Sequence, residues 1–381
     1  MSRATLRSMV IKRGYLLLFT GFFIGVLISS IISSIYFTRG GISGTGGIPE
    51  SIEIIFLYSS EKQGWLEEVT PEFEVWFKAK FGITVHVKLV AAGSHETINM
   101  ILHGFKPTIW SPASSIWISY LNEKWNEDHP GESIVSEWVP LVFSPIVIAG
   151  WRSIVNKYNI SNFMDLYRLA KAGVDFKWGH PDPRLSNGGT MTVLLEFAEA
   201  AGKAPDELTL EDIQDEKVLE IVRTIESKAV VYGKSTGFFG AWAADSGPQA
   251  ITFFGVYENI VIDNSLKAFR KWGDKLVAVY PNFGTLLSDH PFVILNAKWV
   301  SPWQKFVASQ YLYFLLQPDV QFKAQKHGFR PANPSVPLDP DIFNEENGVF
   351  SDIKVRILRP PRGEVLEAIL SLWEKVKNPG V

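Results

Sequence analysis

Cysteine is absent from all 381 residues. Its absence excludes a disulfide framework, thiolate metal ligands, a cysteine nucleophile and a lipid anchor attached to cysteine. Histidine is sparse, at seven. His95-Glu96 opens like the zinc helix H-E-x-x-H, but the fifth residue is Asn99, and the other histidines show no ligand spacing. On that basis no metal and no cofactor are expected. A basic excess is lacking too. Arg3, Arg7, Lys12, Arg13 and Arg39 against Glu50 give residues 1–50 a charge of about +4, so the formal −3 of the whole leaves about −7 for the rest. Nucleic acid is therefore not an expected partner, because phosphate neutralisation needs a basic surface.

Charge of either sign is missing between Arg13 and Arg39. The intervening YLLLFTGFFIGVLISSIISSIYF is about 23 residues, or roughly 35 Å as a helix, enough to span a bilayer. Four basic residues precede it and only Arg39 follows closely. The positive-inside rule then puts residues 1–13 in the cytoplasm, a transmembrane anchor over 14–37 and everything later outside the cell. A cleaved signal peptide, or a cut after Gly14, is the competing reading; the apolar run exceeds an ordinary signal core and no small-x-small site follows it. Residues 38–50, with GGISGTGG from Gly40 to Gly47, read as a flexible tether.

What is present describes a globular remainder: 46% hydrophobic, 13% aromatic and 20% charged residues. Its length exceeds what one core usually fills, so two lobes are expected. IEIIFLY (Ile52 to Tyr58) is a short apolar run of the buried parallel-strand type, and ITVHVKLV (Ile83 to Val90) alternates as a strand should. Between them, Thr70-Pro71-Glu72 marks a helix start and Gly82 its end. Ser94 caps a helix to about Leu102; Thr108 to Trp110 is a strand followed by a helix start at Ser111-Pro112. LVFSPIVIA (Leu141 to Ala149), AVVY (Ala229 to Tyr232) and KLVAVYP (Lys275 to Pro281) are further strands. Asn187 to Gly202 and two C-terminal segments carry helical apolar faces. Alternating strands and helices define an α/β protein with parallel-type sheets.

YGKSTG (Tyr232 to Gly237) admits three readings. As Gly233-Lys234-Ser235-Thr236-Gly237 it fits the G-x-S-x-G elbow of a serine hydrolase, but no HGGG-type oxyanion loop accompanies it, and only His290 or His327 could follow in triad order. A phosphate loop would need glycine at 228, where Lys228 stands. The third reading is a ligand-cradling turn. Similar hydroxyl or glycine clusters recur after strands and before helices: Ser59-Ser60, Gly93-Ser94, Ser111 to Ser115 and Asn187 to Thr190. Each alone is an ordinary N-cap. Together, at the carboxyl ends of strands, they can offer free N–H groups, hydroxyls and helix dipoles to one ligand.

TIWSPASSIW, FKWGHPDPRLSNGGT, YGKSTG, GPQAITFFGVYEN, YPNFGTLLSDHPFVIL and HGFRPANP occur in an order that resembles an extracellular solute-binding protein of an ABC transporter, with the type II periplasmic-binding-protein fold. The branch it is similar to is that of molybdate-type binders. The resemblance covers most of residues 51–335. It implies two α/β lobes, the first from 51–143 and 282–381 and the second from 144–281, with crossovers near Phe143-Ser144 and Tyr280-Pro281. It also implies a small oxyanion or polar organic solute held between the lobes, a monomer, delivery to a permease, and no enzymatic activity. Carried over, the ligand-binding residues are Ser59, Ser60, Ser114, Thr190, Ser235, Thr236, Tyr257 and Glu258. Glu258 departs from what a simple anion wants, so it is expected to be neutral, to bind a cationic or hydroxyl-bearing solute, or to pair with Arg184, Lys234 or Arg330. The alternatives that remain are a signal-anchored hydrolase using Ser235 and a surface-binding protein without transport.

Overall fold

The structure, a computed structural model, describes residues 49–377. The transmembrane segment expected over 14–37 lies outside the described residues, and among those described no helix is long and apolar enough to cross a membrane. In chain order the strands are β1 (Ser51–Ser59), β2 (Thr84–Ala92), β3 (Ile109–Ser111), β4 (Val139–Pro140), β5 (Val142–Trp151), β6 (Trp178–Pro181), β7 (Ala229–Gly233), β8 (Phe253–Tyr257), β9 (Leu276–Val279), β10 (Thr285–Ser288), β11 (Pro291–Ile294), β12 (Arg330–Pro331) and β13 (Ile357–Leu358). The helices are α1 (Gln63–Phe81), α2 (Ser94–Leu102), α3 (Ile116–Asp128), α4 (Arg152–Tyr158), α5 (Phe163–Lys171), α6 (Asn187–Ala201), α7 (Leu210–Gln214), α8 (Glu216–Glu226), α9 (Thr236–Ser246), α10 (Glu258–Trp272), α11 (Pro302–Leu315), α12 (Pro318–Lys326) and α13 (Gly363–Lys377).

The first sheet has the order β2-β1-β3-β11-β4. Its β1 alternates at first, with Ser51 and Glu53 exposed, and is buried on both faces from Phe56 to Ser59, where the chain is apolar up to the final serine. Ile54, Phe56 and Tyr58 enter a core with α1 and α11, while Leu57 points the other way, to Trp110 and Trp117. The second sheet is built on β5, which pairs with β8, β9, β10 and β12. Because β4 and β5 are nearly continuous, residues 139–151 carry the chain from the first sheet into the second. Val365, Ile369 and Trp373 of α13 join the core of this second unit, packed on α6 and α8.

Several sequence expectations change: the helix start read at Ser111-Pro112 lies at Ile116, and α13, expected with 282–381 in the first lobe, packs in the core of the second. Parallel pairing holds for β1 with β2 and β3, for β6 with β7 and for β10 with β13, but every partner of β5 is antiparallel, as are those of β11. A short apolar run reads alike in both directions, so the pattern does not encode strand sense. The helix expected to start at Thr70 begins instead at Gln63, with Pro71 inside it. An interior proline costs about 3 kcal/mol. Trp65, Leu66 and Val69, all fully buried, return about 1.5–3 kcal/mol each by leaving water, and the helix extends back to reach them.

Candidate functional site

β1 ends at Ser59 and turns at once into a short 3-10 segment, Ser60–Lys62. Ser59 to Lys62 are all buried, and Lys62 completely so. A buried ammonium must be partnered. Lys62 Nζ donates to Ser59 Oγ and lies 3.4 Å from Glu61 Oε1, 3.3 Å from His290 Nδ1 and 3.5 Å from the Pro112 carbonyl. Glu61 Oε1 also accepts the Ser59 hydroxyl and sits 3.2 Å from His290 Nδ1. Burial pushes Lys62 down to about 8 against the pull of Glu61. For Glu61 burial acts upward, yet Lys62 and the contacts from His290 and Ser59 outweigh it and hold the carboxyl at about 2. Burial, helped by Lys62, lowers His290, which is therefore the neutral imidazole at pH 7.

His290 has φ 40°, one of two non-glycine residues with positive φ among those described. The Ala113 carbonyl takes its N–H at 3.0 Å, and its own carbonyl accepts the Leu141 N–H at 3.2 Å. Such a conformation in a non-glycine residue is uncommon, and where it occurs beside a charged cluster it points to function. Two polar atoms here lack a protein partner, Ser111 Oγ and His290 Nε2. Beside them, Asp289 Oδ1 accepts the Ser115 N–H at 2.7 Å.

The second unit brings its own turns to this place. Ser235 stands just ahead of α9, and its hydroxyl accepts from Ser60 Oγ at 2.7 Å, joining the two units. Ser186 Oγ and Thr236 Oγ1 are 2.8 Å apart. Asn187, the first residue of α6, donates to Tyr257 Oη at 2.7 Å and to Ser288 Oγ at 3.2 Å, while its Oδ1 accepts the Trp117 indole N–H at 2.7 Å. The N–H groups of His95 and Glu96 at the start of α2 donate to the Leu185 carbonyl at 3.1 and 3.4 Å. Closest of all is the backbone. A Cβ on Gly93 would lie 2.4 Å from the Leu185 oxygen and 2.9 Å from that of Lys234, and one on Gly237 would lie 2.8 Å from the Glu61 nitrogen. The units are closed onto each other, glycine against backbone.

Of the residues expected from sequence, Ser59, Ser60, Ser235, Thr236 and Tyr257 lie in this convergence. Ser114 is on the neighbouring turn, where its Oγ accepts the Ile116 N–H at 3.4 Å. Thr190 spends its hydroxyl on the Pro183 and Ser186 carbonyls at 2.7 and 3.1 Å. Glu258, fully buried, takes two bonds from Arg330 at 2.8 Å and a third from the Tyr280 hydroxyl. Pairing with Arg330 was one of the alternatives open for this carboxylate, and it commits both oxygens. Glu258→Gln is accordingly expected to lower stability by about 1.5–3 kcal/mol, the loss of charge-assisted hydrogen bonds, while leaving solute affinity unchanged; thermal melting and calorimetry check both halves.

Sequence reasoning overlooked Glu61 and Lys62. The signal was there: two opposite charges directly after an apolar strand. The hydrolase reading of YGKSTG meets no support. Ser235 has an ordinary extended φ of −157° rather than a strained elbow. His290 is engaged with Lys62 and Glu61, and His327 Nε2 lies 2.8 Å from Glu68. A separate cavity of about 630 Å³ opens between β9 and residues 345–355, lined by Arg152, Tyr280, Phe350 and Lys354 among others, and none of the hydroxyl turns reaches it.

Residues 54–330 match the family model of bacterial extracellular solute-binding proteins. The chain belongs to that family. Solved structures share the fold at low identity. The sulfate-binding protein SubI of Mycobacterium tuberculosis H37Rv is 16% identical with a TM-score of 0.54, over 86% of this chain and 99% of that one. A periplasmic thiamin binding protein is 14% identical with a TM-score of 0.59, over 87% and 98%. A solute-binding protein of Thermotoga lettingae bound with α-D-tagatose is 15% identical with a TM-score of 0.58, over 86% and 95%. These likenesses concern architecture: an α/β two-lobed periplasmic-binding-protein fold. No curated protein sequence matches the chain significantly.

Proposed function

We propose that this protein captures a small, polar, oxyanion-bearing solute between its two lobes and hands it to the permease of an ABC transporter, held at the cell surface by residues 14–37. The observation that carries the reading is the set of donors converging from both units. Lys62 and Ser111 Oγ come from the first, beside the unengaged His290 Nε2; Ser235, Thr236 and the amino ends of α6 and α9 come from the second. Helix amino ends and neutral hydroxyls hold an anion without a full countercharge, and the ammonium of Lys62 adds one at the centre. Two carboxylates border the cradle and limit the positive charge there: Glu61, whose Oε1 is engaged by Lys62 and Ser59, and Asp289, whose Oδ1 accepts the Ser115 N–H. The finer placement, in the molybdate-type branch, belongs to the same proposal, as does transport itself, since the fold is shared by binders of unlike solutes.

A screen of oxyanions, phosphorylated sugars, amino acids and cations by thermal shift tests the solute class; stabilisation by polyamines or other cations alone would overturn it. The pH dependence follows from Lys62. Its folded value, about 8, lies below the ordinary lysine value, so the ammonium is present below about pH 8 and lost above it. Anion affinity should therefore hold between pH 6 and 7.5 and fall as pH rises through about 8, read by calorimetry at constant ionic strength. For the anchor, protease added to intact cells should release the folded part by cutting in Gly40 to Gly47; protection of that tether would contradict the orientation.

A further inference from the structure

A second polar cluster lies in the second unit, away from the cradle. His180 on β6, Glu196 on α6 and Glu226 on α8 come from three elements, and their ligating atoms lie within 4.8 Å of one another. All three side chains are fully buried. His180 Nδ1 is 2.7 Å from the Pro181 carbonyl, which fixes the ring and turns Nε2 toward Glu226 Oε1 at 3.0 Å. On Glu226 the other oxygen, Oε2, is already occupied: the Tyr232 hydroxyl donates to it at 2.7 Å and the Trp373 indole N–H at 2.9 Å. Glu196 is the anomaly. Both of its oxygens are buried with no hydrogen-bond partner within 3.5 Å, although Glu226 and the Trp178 indole, itself unpaired, lie nearby. Buried polar groups are almost always satisfied, so each exception calls for an explanation.

We infer that His180 Nε2, Glu226 Oε1 and the Glu196 carboxylate form a site for one divalent first-row cation of the zinc or manganese type. The donor set is imidazole and carboxylate with no sulfur, which suits such ions and not the soft ones. The charge balances, since two carboxylates and a neutral imidazole cancel the ion. Binding the second imidazole nitrogen to a backbone carbonyl, and the second carboxylate oxygen to outer donors, is the arrangement that orients metal ligands. The ion would pin β6 to α6 and α8 behind the turns that begin at Pro181 and Gly233, making it a structural part of the second unit rather than of the cradle. Spacing could not reveal it, because the ligands are 16 and 30 residues apart and belong to no local motif.

The test is the metal content of the tag-free full-length chain, expressed with zinc and manganese in the medium and purified in detergent, measured by inductively coupled plasma mass spectrometry beside its melting temperature. The expected result is one ion per chain in the wild type, retained through brief chelation because the site is sealed, and lost in Glu196→Gln, which keeps its circular dichroism but melts lower. His180→Gln serves in the same way if Glu196→Gln does not fold. A wild type without stoichiometric metal would overturn the inference and leave a proton shared between Glu196 and Glu226; so would an ion retained by whichever of the two variants folds.

Discussion

Gly93→Val is expected to weaken solute binding by about 100-fold or more while leaving the melting temperature of the unliganded protein nearly unchanged. Gly93 has φ −71°, which valine adopts freely, so neither unit is strained by the substitution itself. The new side chain nevertheless meets the Leu185 and Lys234 carbonyl oxygens, at 2.4 and 2.9 Å for its first carbon alone. Backbone on the far side cannot yield as a side-chain tip can. Affinity falls in proportion to the fraction of molecules able to close, and a closed population reduced to about 1% gives the stated factor. Calorimetry supplies the affinity and small-angle scattering the loss of ligand-induced compaction. Wild-type affinity in Gly93→Val would mean that the cleft does not close on its solute.

Lys62→Met should remove anion binding and destabilise the protein together, since Glu61 is left buried and charged without its partner. Breaking a buried pair in this way costs about 3–5 kcal/mol, which for a chain of this length lowers the melting temperature by about 5 °C. The two effects separate in the double variant Glu61→Gln/Lys62→Met. With no uncompensated charge its stability should recover, whereas anion binding should not, because the central ammonium is gone. If the double variant bound as the wild type does, Lys62 would be a structural partner of Glu61 only.

How much of this was legible beforehand depends on the kind of signal. β1, β2 and α6 are legible nearly to the residue, because a short β-branched and aromatic run bounded by turn residues, a period of two and a long helical apolar face each fix the type of element, though not the direction in which a strand pairs. Gly82 was read as a helix end and closes α1 with φ 74°. The start of α1 lies seven residues before Thr70 because the local preference of Thr70-Pro71 is overridden by burial of Trp65 and Leu66, five and four residues ahead of it. The antiparallel partners of β5 could not be read, since their pairing is set by where distant segments return and not by any one segment's composition. The hydroxyl turns were visible one by one. That Ser60 would touch Ser235, 175 residues away, depends on closure of the whole fold, and so does the pairing of Glu258 with Arg330.

The claim that the facing turns hold the solute is tested most directly by titrating the strongest solute from the screen into wild type and into Ser60→Ala/Ser235→Ala. At about 100-fold saturation the wild type should gain roughly 2.7 kcal/mol of stability. Hydrogen bonds to a charged ligand contribute about 1.5–3 kcal/mol each, so losing both hydroxyls should reduce affinity by at least about 100-fold with the fold intact. An unchanged dissociation constant in the double variant would place the solute elsewhere, and ester turnover by the wild type that vanished with Ser235 would make the protein an enzyme after all.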